Sequence, residues 1–266
     1  MRGSFIHRTF GRQAFGRDPA GYDAARPRYP EWVFDFLCER CGLVPGTVTF
    51  EIGAGTGTAT RHLLELGANP LVAVEPDERL ATFLQETIPD KALRVVIAPF
   101  EDVVLQEASF DLGVSATAFH WLNEDLALTK VAKLLRPGGW WAMLWNVFGD
   151  SRRADPFHEA TKSLLNRPLS PSAGNGEVPF ALDAEARLAG LERTDAFDSI
   201  QHRTSTWSLV LDPDQTVALY ATYSNVNIRE DREDVLNHLR RIACDEFQGC
   251  VTRNMTTSLY VARRRL

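Results

Sequence analysis

The chain has 266 residues, 44% hydrophobic and 24% charged, enough to bury a large core without disulfides or metal. Its formal net charge of -6 supplies no general field for nucleic-acid phosphates, and no apolar run is long enough to span a bilayer. The expectations at this level are a soluble globular protein with no nucleic-acid or membrane partner, in a monomeric or homodimeric state.

Residues 1–30 combine Arg, Gly and Pro with Phe5, Phe10, Phe15, Tyr22 and Tyr29 and read as an irregular arm. The basic start carries no apolar stretch of signal-peptide length, so a cytoplasmic location is expected. A helix opens at Pro30 and runs to about Cys41, with Trp32, Val33, Phe36 and Leu37 recurring on one face. Cys38 and Cys41 are spaced C-x-x-C, but Cys244 and Cys250 have a different gap, which is a poor zinc pattern, and no metal is expected.

An alternation follows. Strands are expected at Val48–Ile52, Leu71–Glu75, Leu93–Ile97, Phe110–Ser115 and Trp140–Asn146. Helices are expected at Thr58–Leu66, from about Asp77 to Glu86, and at Leu126–Leu135, the last stopped by a turn over Arg136–Gly139. Apolar strands alternating with helices imply a mostly parallel sheet covered on both faces. Residues 150–180 hold Pro156, Pro168, Pro171, Gly174, Gly176 and Pro179 and read as a partly loop-like insert. Beyond it come a helix at Asp183–Ala189, a strand at Ala196–Ser208, helices at Asp212–Thr222 and Asp231–Phe247, and a strand at Thr256–Ala262. The expected organisation is one folding unit: an arm or lid (1–30), a cofactor-binding core (31–149), a cap (150–180) and a C-terminal completion of the sheet (181–266).

Chemistry concentrates at the first strand-to-helix junction. Glu51, Gly53, Ala54, Gly55 and Gly57 form E-x-G-x-G-x-G, which lets the backbone turn tightly and approach a ligand at a helix N-terminus. Glu75 ends the second strand, where a carboxylate accepts hydrogen bonds from a ribose diol. A dinucleotide loop, G-x-G-x-x-G/A, would need Gly or Ala at position 58, which is Thr58.

Together with Tyr22–Pro30 (Y-x-x-x-R-P-x-Y-P), Ala98–Asp102, Val114–Trp121 (ending His-Trp) and Leu135–Gly139, this loop resembles the class I S-adenosylmethionine-dependent methyltransferases. The likeness is to the type 11 and trans-aconitate methyltransferase-like small-molecule branch. The resemblance runs from about Tyr22 to Asn146 and more loosely beyond. It implies a Rossmann-like seven-stranded sheet, mostly parallel with an antiparallel last strand, and S-adenosyl-L-methionine as cofactor. It implies methyl transfer to an oxygen, nitrogen or carboxylate of a small molecule. It further implies that Glu51, Gly53, Ala54, Gly55 and Gly57 surround the methionine part and that Glu75 takes the ribose. Pro76, Phe100 and Glu101 would meet the adenine, and Ser115 would lie near the sulfonium. Pro99 departs from the family's acidic adenine contact, so Glu101 or a backbone carbonyl would replace it.

Methyl transfer needs an in-line nucleophile and exclusion of water. His120 is the candidate base, its alternative role being a strand cap packed with Trp121. Tyr22, Tyr29, Phe119 and Trp121 are candidates to wall the site. Arg26 or Arg28 would matter for an ionised carboxylate acceptor, or would fasten the arm. Trp207, Tyr220 and Tyr223 are either pocket walls or core. Three rival readings remain at this level. One is an NAD(P)-dependent oxidoreductase. Another is a hydrolase built on Gly113–Thr117, an imperfect nucleophile elbow with Ser115 at its centre. The last is a non-catalytic S-adenosylmethionine-binding protein.

Overall fold

The computed structural model describes residues 6–8, 14–165, 168–174 and 178–266. Phe5 and Phe10 of the arm, and Gly176 of the insert, lie outside them. The strands are β1 (Thr47–Ile52), β2 (Ala68–Glu75), β3 (Leu93–Ile97), β4 (Phe110–Ala116), β5 (Leu135–Phe148), β6 (Phe197–Leu211) and β7 (Val251–Arg264). They form one seven-stranded sheet in the order β3-β2-β1-β4-β5-β7-β6. The first five strands pair in parallel, whereas β7 runs antiparallel to both β5 and β6. The expected architecture is therefore borne out, and strand order reverses between β1 and β4. In an open α/β sheet, the crevice at the C-terminal ends of those two strands is where ligands bind.

The helices are α1 (Pro19–Ala25), α2 (Glu31–Cys41), α3 (Thr58–Glu65), α4 (Glu78–Thr87), α5 (Glu124–Leu134), α6 (Pro156–Leu165), α7 (Ala184–Arg193), α8 (Pro213–Tyr220), α9 (Ser224–Asn227) and α10 (Arg232–Asp245). Among the described residues none is long and apolar enough to cross a membrane. Side-chain caps begin several of them: Asp77 accepts from Arg79 N on α4, and Asn123 accepts from Leu126 N on α5. Asp212 and Gln215 close a reciprocal capping box on α8.

The core is divided by strand periodicity. Val72, Val74, Trp141, Met143 and Trp145 point to one face with Leu128 and Val131 of α5. The intervening Leu71, Ala73, Ala142 and Leu144 point to the other, with Phe34 and Leu37 of α2 and Leu63 of α3. A separate apolar cluster joins Phe157 of α6 to Leu219 and Tyr220 of α8 and to Leu236 and Leu239 of α10. It joins the helix of the insert to helices of the C-terminal region.

Two local expectations are corrected and one, the partly loop-like insert, is given detail. The arm is not wholly irregular: Asp18 caps α1 through Gly21 N, with Pro19 at the first helical position. The insert holds a regular helix, α6, which the amphipathic placement of buried Phe157 and Thr161 stabilises despite the surrounding prolines. Finally, Arg136–Gly139 is not a turn preceding β5. Pairing with β4 already begins at Leu135, opposite Phe110, and resumes at Trp140, opposite Leu112, so these four residues bulge within the strand. Pro137 has no N–H for the ladder, and Gly138 takes the left-handed conformation (φ 81°) that the bulge requires.

Candidate active site

The loop after β1 is tied to β2 by its own backbone. Gly53 N donates to Val74 O at 2.8 Å, which brings the loop against the neighbouring strand end. Gly53 has φ 69°, and a Cβ there would lie 2.4 Å from Ala118 Cβ in the segment after β4. Only glycine satisfies both the dihedral and the approach. Glu75 organises the next residues: Oε2 accepts from Gly55 N at 2.8 Å and Oε1 from Asp77 N at 2.9 Å. Buried Glu51 accepts from Thr60 Oγ1 at 2.6 Å through Oε2, while its Oε1 is buried without a hydrogen-bond partner among the described residues. Burial pushes the Glu51 carboxyl up to about 8, against the Thr60 hydrogen bond and with help from the Glu75 charge.

These groups open onto a cavity of about 480 Å³, within the usual range for a small-molecule or cofactor site. Glu51, Gly53 and Ala54 line it beside Thr56 and Thr58. Glu75, Pro76, Leu80 and Phe100 line it as well. Phe100 is held by Lys130, whose Nζ donates to Phe100 O at 2.6 Å and lies 4.9 Å from the ring centre. Further along, Tyr22, Arg26, Tyr29, His120 and Trp121 complete the wall, so the sequence brings all of these residues to one place.

Other candidates do not reach the wall, among them Phe119, which is buried with its ring centre 5.5 Å from that of Trp141. Gly55 and Gly57 act behind it, the former through its N–H on Glu75. The Glu101 side chain is exposed, and Ser115 is fully buried. Ser115 Oγ donates to Ile52 O at 3.1 Å and straps β4 to β1. That contact removes the hydrolase reading, which needs an exposed serine. Of the residues with undecided roles, Tyr220 and Tyr223 are on the wall. Trp207 is not, and its Nε1 donates to Thr257 Oγ1 at 2.9 Å.

The segment between β4 and α5 carries a strained residue. Thr117 has φ 56°, unfavourable for a β-branched side chain. It is held there by its N–H on Leu144 O at 2.7 Å and by Tyr29 Oη, 2.6 Å from its Oγ1. His120 follows in a single turn of 3₁₀ helix, Phe119–Trp121, and is buried. Trp145 Nε1 donates to its Nδ1 at 3.1 Å. Burial, and then the charges of Arg26 and Arg8, hold its imidazole down to about 3.

Arg26 occupies an aromatic box. Its guanidinium carbon lies 5.0 Å from the ring centre of Tyr22, 5.2 Å from Tyr223 and 5.7 Å from Phe148. Nη2 donates to Thr222 O at 3.0 Å, whereas Nε is buried with no hydrogen-bond partner among the described residues. Arg253 sits two tyrosine rings away. Tyr223 and Tyr220 have ring centres 4.8 Å apart, and Arg253 lies 5.4 Å from the Tyr220 centre. Unlike Arg26, Arg253 is neutralised: its Nε donates to Asp155 Oδ2 at 2.9 Å, and it also bonds Tyr220 Oη. Arg28 is not among the cavity-lining residues, and its carbonyl accepts from Asn146 Nδ2 at 3.1 Å.

Arg253, Asn146 and His158 are wall residues that the sequence reading did not single out. Arg253 left a signal, because an arginine shares the inward register of β7 with Val251 and Met255. Among the described residues no cluster of His, Cys, Asp and Glu is arranged to hold a metal ion.

Residues 50–143 match the family model described as a methyltransferase domain. An uncharacterised methyltransferase of Mycobacterium bovis is 32% identical over 233 residues, covering 86% of this chain and 85% of that protein. The chain belongs to the class I S-adenosylmethionine-dependent methyltransferases. An uncharacterised methyltransferase-like protein of Schizosaccharomyces pombe is 28% identical over 155 residues, and the match spans 58% of this chain and 59% of the yeast protein. In fold, the methyltransferase chain resembles phosphoethanolamine N-methyltransferase 2 of Haemonchus contortus. The TM-score is 0.61 at 12% identity, covering 98% of this chain and 61% of the other.

Proposed function

We propose that this methyltransferase transfers the methyl group of S-adenosylmethionine to an oxygen, nitrogen or carboxylate of a small molecule bound beside the cofactor. The observation that carries the reading is the continuous cavity from Glu75, past the glycine loop, to the aromatic box around Arg26. The H. contortus neighbour was solved with phosphomonomethylethanolamine and S-adenosylhomocysteine, a small acceptor and a spent cofactor.

The residues present fit the cofactor. Glu75 lines the cavity with a carboxylate, the group suited to accept from the hydroxyls of a diol. Pro76, Leu80 and Phe100 offer an apolar slot for a purine. Gly53 presents bare backbone, and Glu51 Oε1, without a hydrogen-bond partner among the described residues, offers an acceptor for an ammonium group once the carboxyl has given up its proton. When bound, the cofactor supplies an electrophilic methyl carbon: the acceptor's lone pair bonds to it as the carbon–sulfur bond breaks and leaves its electrons on sulfur.

The protein's part is placement. Tyr29 and Thr117 fix the strained turn that floors the acceptor side. The aromatic box holds Arg26 without a carboxylate partner among the described residues, so its charge is available to an anionic group on the acceptor. Phe15 stacks edge-on to both Tyr22 and Trp121, at 5.9 and 5.7 Å between ring centres, which lays the arm over the cavity as a lid that excludes water.

Calorimetric titration with S-adenosylhomocysteine, followed by transfer of radiolabelled methyl to panels of carboxylic acids, phenols and amines, tests the reading. Cofactor binding with label in at least one panel is expected. Binding with no transfer to any panel would favour a sensor, and no binding would refute the site.

A further inference from the structure

A histidine that serves as a base usually donates from Nδ1 to a carboxylate or carbonyl, which leaves the Nε2 lone pair free to take a proton. His120 has the opposite polarity. Its Nδ1 faces Trp145 Nε1 at 3.1 Å, and an indole N–H donates only. Nδ1 must therefore keep its lone pair, and the hydrogen of the neutral ring must sit on Nε2. Placing a proton on Nδ1 would set two buried donors head to head.

The surroundings reinforce that arrangement. Phe180 packs against both partners, its ring centre 6.2 Å from His120 and 5.9 Å from Trp145, and the Trp121 ring lies 5.4 Å from the imidazole. The charged groups that act on the ring are Arg26 and Arg8, both cationic, and both oppose its protonation. The ring nevertheless lines the cavity.

We infer that Trp145 locks His120 as its Nε2–H tautomer, so that His120 donates a hydrogen bond to a lone pair of the acceptor and positions it instead of removing its proton. The inference rests on the proposed methyl transfer and refines the base role expected from the sequence. The acceptor class is narrowed accordingly. It presents a hydrogen-bond-accepting oxygen, and its nucleophilic atom needs no proton removed by His120, as holds for an acid already ionised at the working pH.

Imidazole nitrogen NMR on ¹⁵N-histidine-labelled protein, assigned with His120→Gln, tests the tautomer without any acceptor. The expected pattern is Nε2–H with no titration from about pH 5 to 9. An Nδ1–H pattern, or titration near the ordinary value of about 6.5, would overturn the inference. Trp145→Phe removes the locking donor and should restore tautomer exchange, which a merely packed histidine would not show. With the first acceptor found in the panels, His120→Phe should raise its KM about tenfold and leave S-adenosylhomocysteine affinity unchanged, while His120→Gln, which retains a donor, should recover most of that loss. A base would instead make both variants equally poor in kcat and would put a histidine limb in the wild-type pH profile. Failure of cofactor binding would count against the methyl-transfer reading alone, because the tautomer measurement stands without it.

Discussion

Replacing Glu75 by Gln tests the cofactor end of the cavity most directly. The carboxylate is buried, 4% exposed, and holds Gly55 N and Asp77 N at 2.8 and 2.9 Å on its two oxygens. A glutamine amide keeps one acceptor oxygen and turns an NH₂ toward the other backbone N–H. Two consequences follow. The ribose diol loses a charged acceptor, and the glycine loop loses one of the bonds that sets its position. Charge-assisted hydrogen bonds contribute about 1.5–3 kcal/mol, so binding should weaken by about 2 kcal/mol, a factor of roughly 30 in Kd. Calorimetric titration of S-adenosylhomocysteine into both proteins measures the change, and circular dichroism shows whether the variant is folded. A folded Glu75→Gln protein that binds within twofold of wild type would refute both the ribose assignment and the geometry argued for the loop.

Three other outcomes are expected. Asp155→Asn leaves the Arg253 guanidinium buried without its carboxylate and should lower stability by about 3–5 kcal/mol in urea denaturation, whereas a loss below about 1 kcal/mol would mean that Arg253 is solvated or repaired by Tyr220. Glu51, raised from 4.5 to about 8 mainly by burial, keeps its proton in the folded chain across a range where the unfolded chain has lost it. Its contribution to stability is thus full below about pH 4.5 and falls as pH rises toward about 8. Urea midpoints should drop over that range in the wild type and drop less in Glu51→Gln, and parallel profiles would count against a protonated Glu51. Deleting residues 1–21 removes Phe15, one of the aromatic contacts over Trp121, and should reduce turnover far more than cofactor affinity. Amide exchange in the arm should slow when S-adenosylhomocysteine binds, and an arm that exchanges equally in both states would be no lid.

The alternation of strands and helices, the glycine loop and Glu75 were legible in the chain itself. Their information is local: period-2 apolar runs bury both faces of a parallel sheet, and a ligand-binding turn needs glycine within a few residues of a strand end. The likeness that names the cofactor is local too, since it lies in short segments beside the strand ends. The acceptor side is assembled differently. Arg26 from the arm, His120 after β4, Trp145 on β5, Tyr223 after α8 and Arg253 on β7 meet only because the sheet order brings those ends together. A histidine in the sequence carries no sign of which ring nitrogen bears the proton. That was decided by Trp145 Nε1 at 3.1 Å, a donor placed by the register of a neighbouring strand. Likewise, Ser115 in a G-x-S context reads as exposed or buried with equal ease, and only packing put its hydroxyl on Ile52 O. The sequence by itself determined the sheet, the loop and the family. Tertiary structure decided the polarity of His120, the aromatic box that holds Arg26 without a carboxylate partner among the described residues, and the neutralised state of Arg253, because each depends on residues distant in the chain.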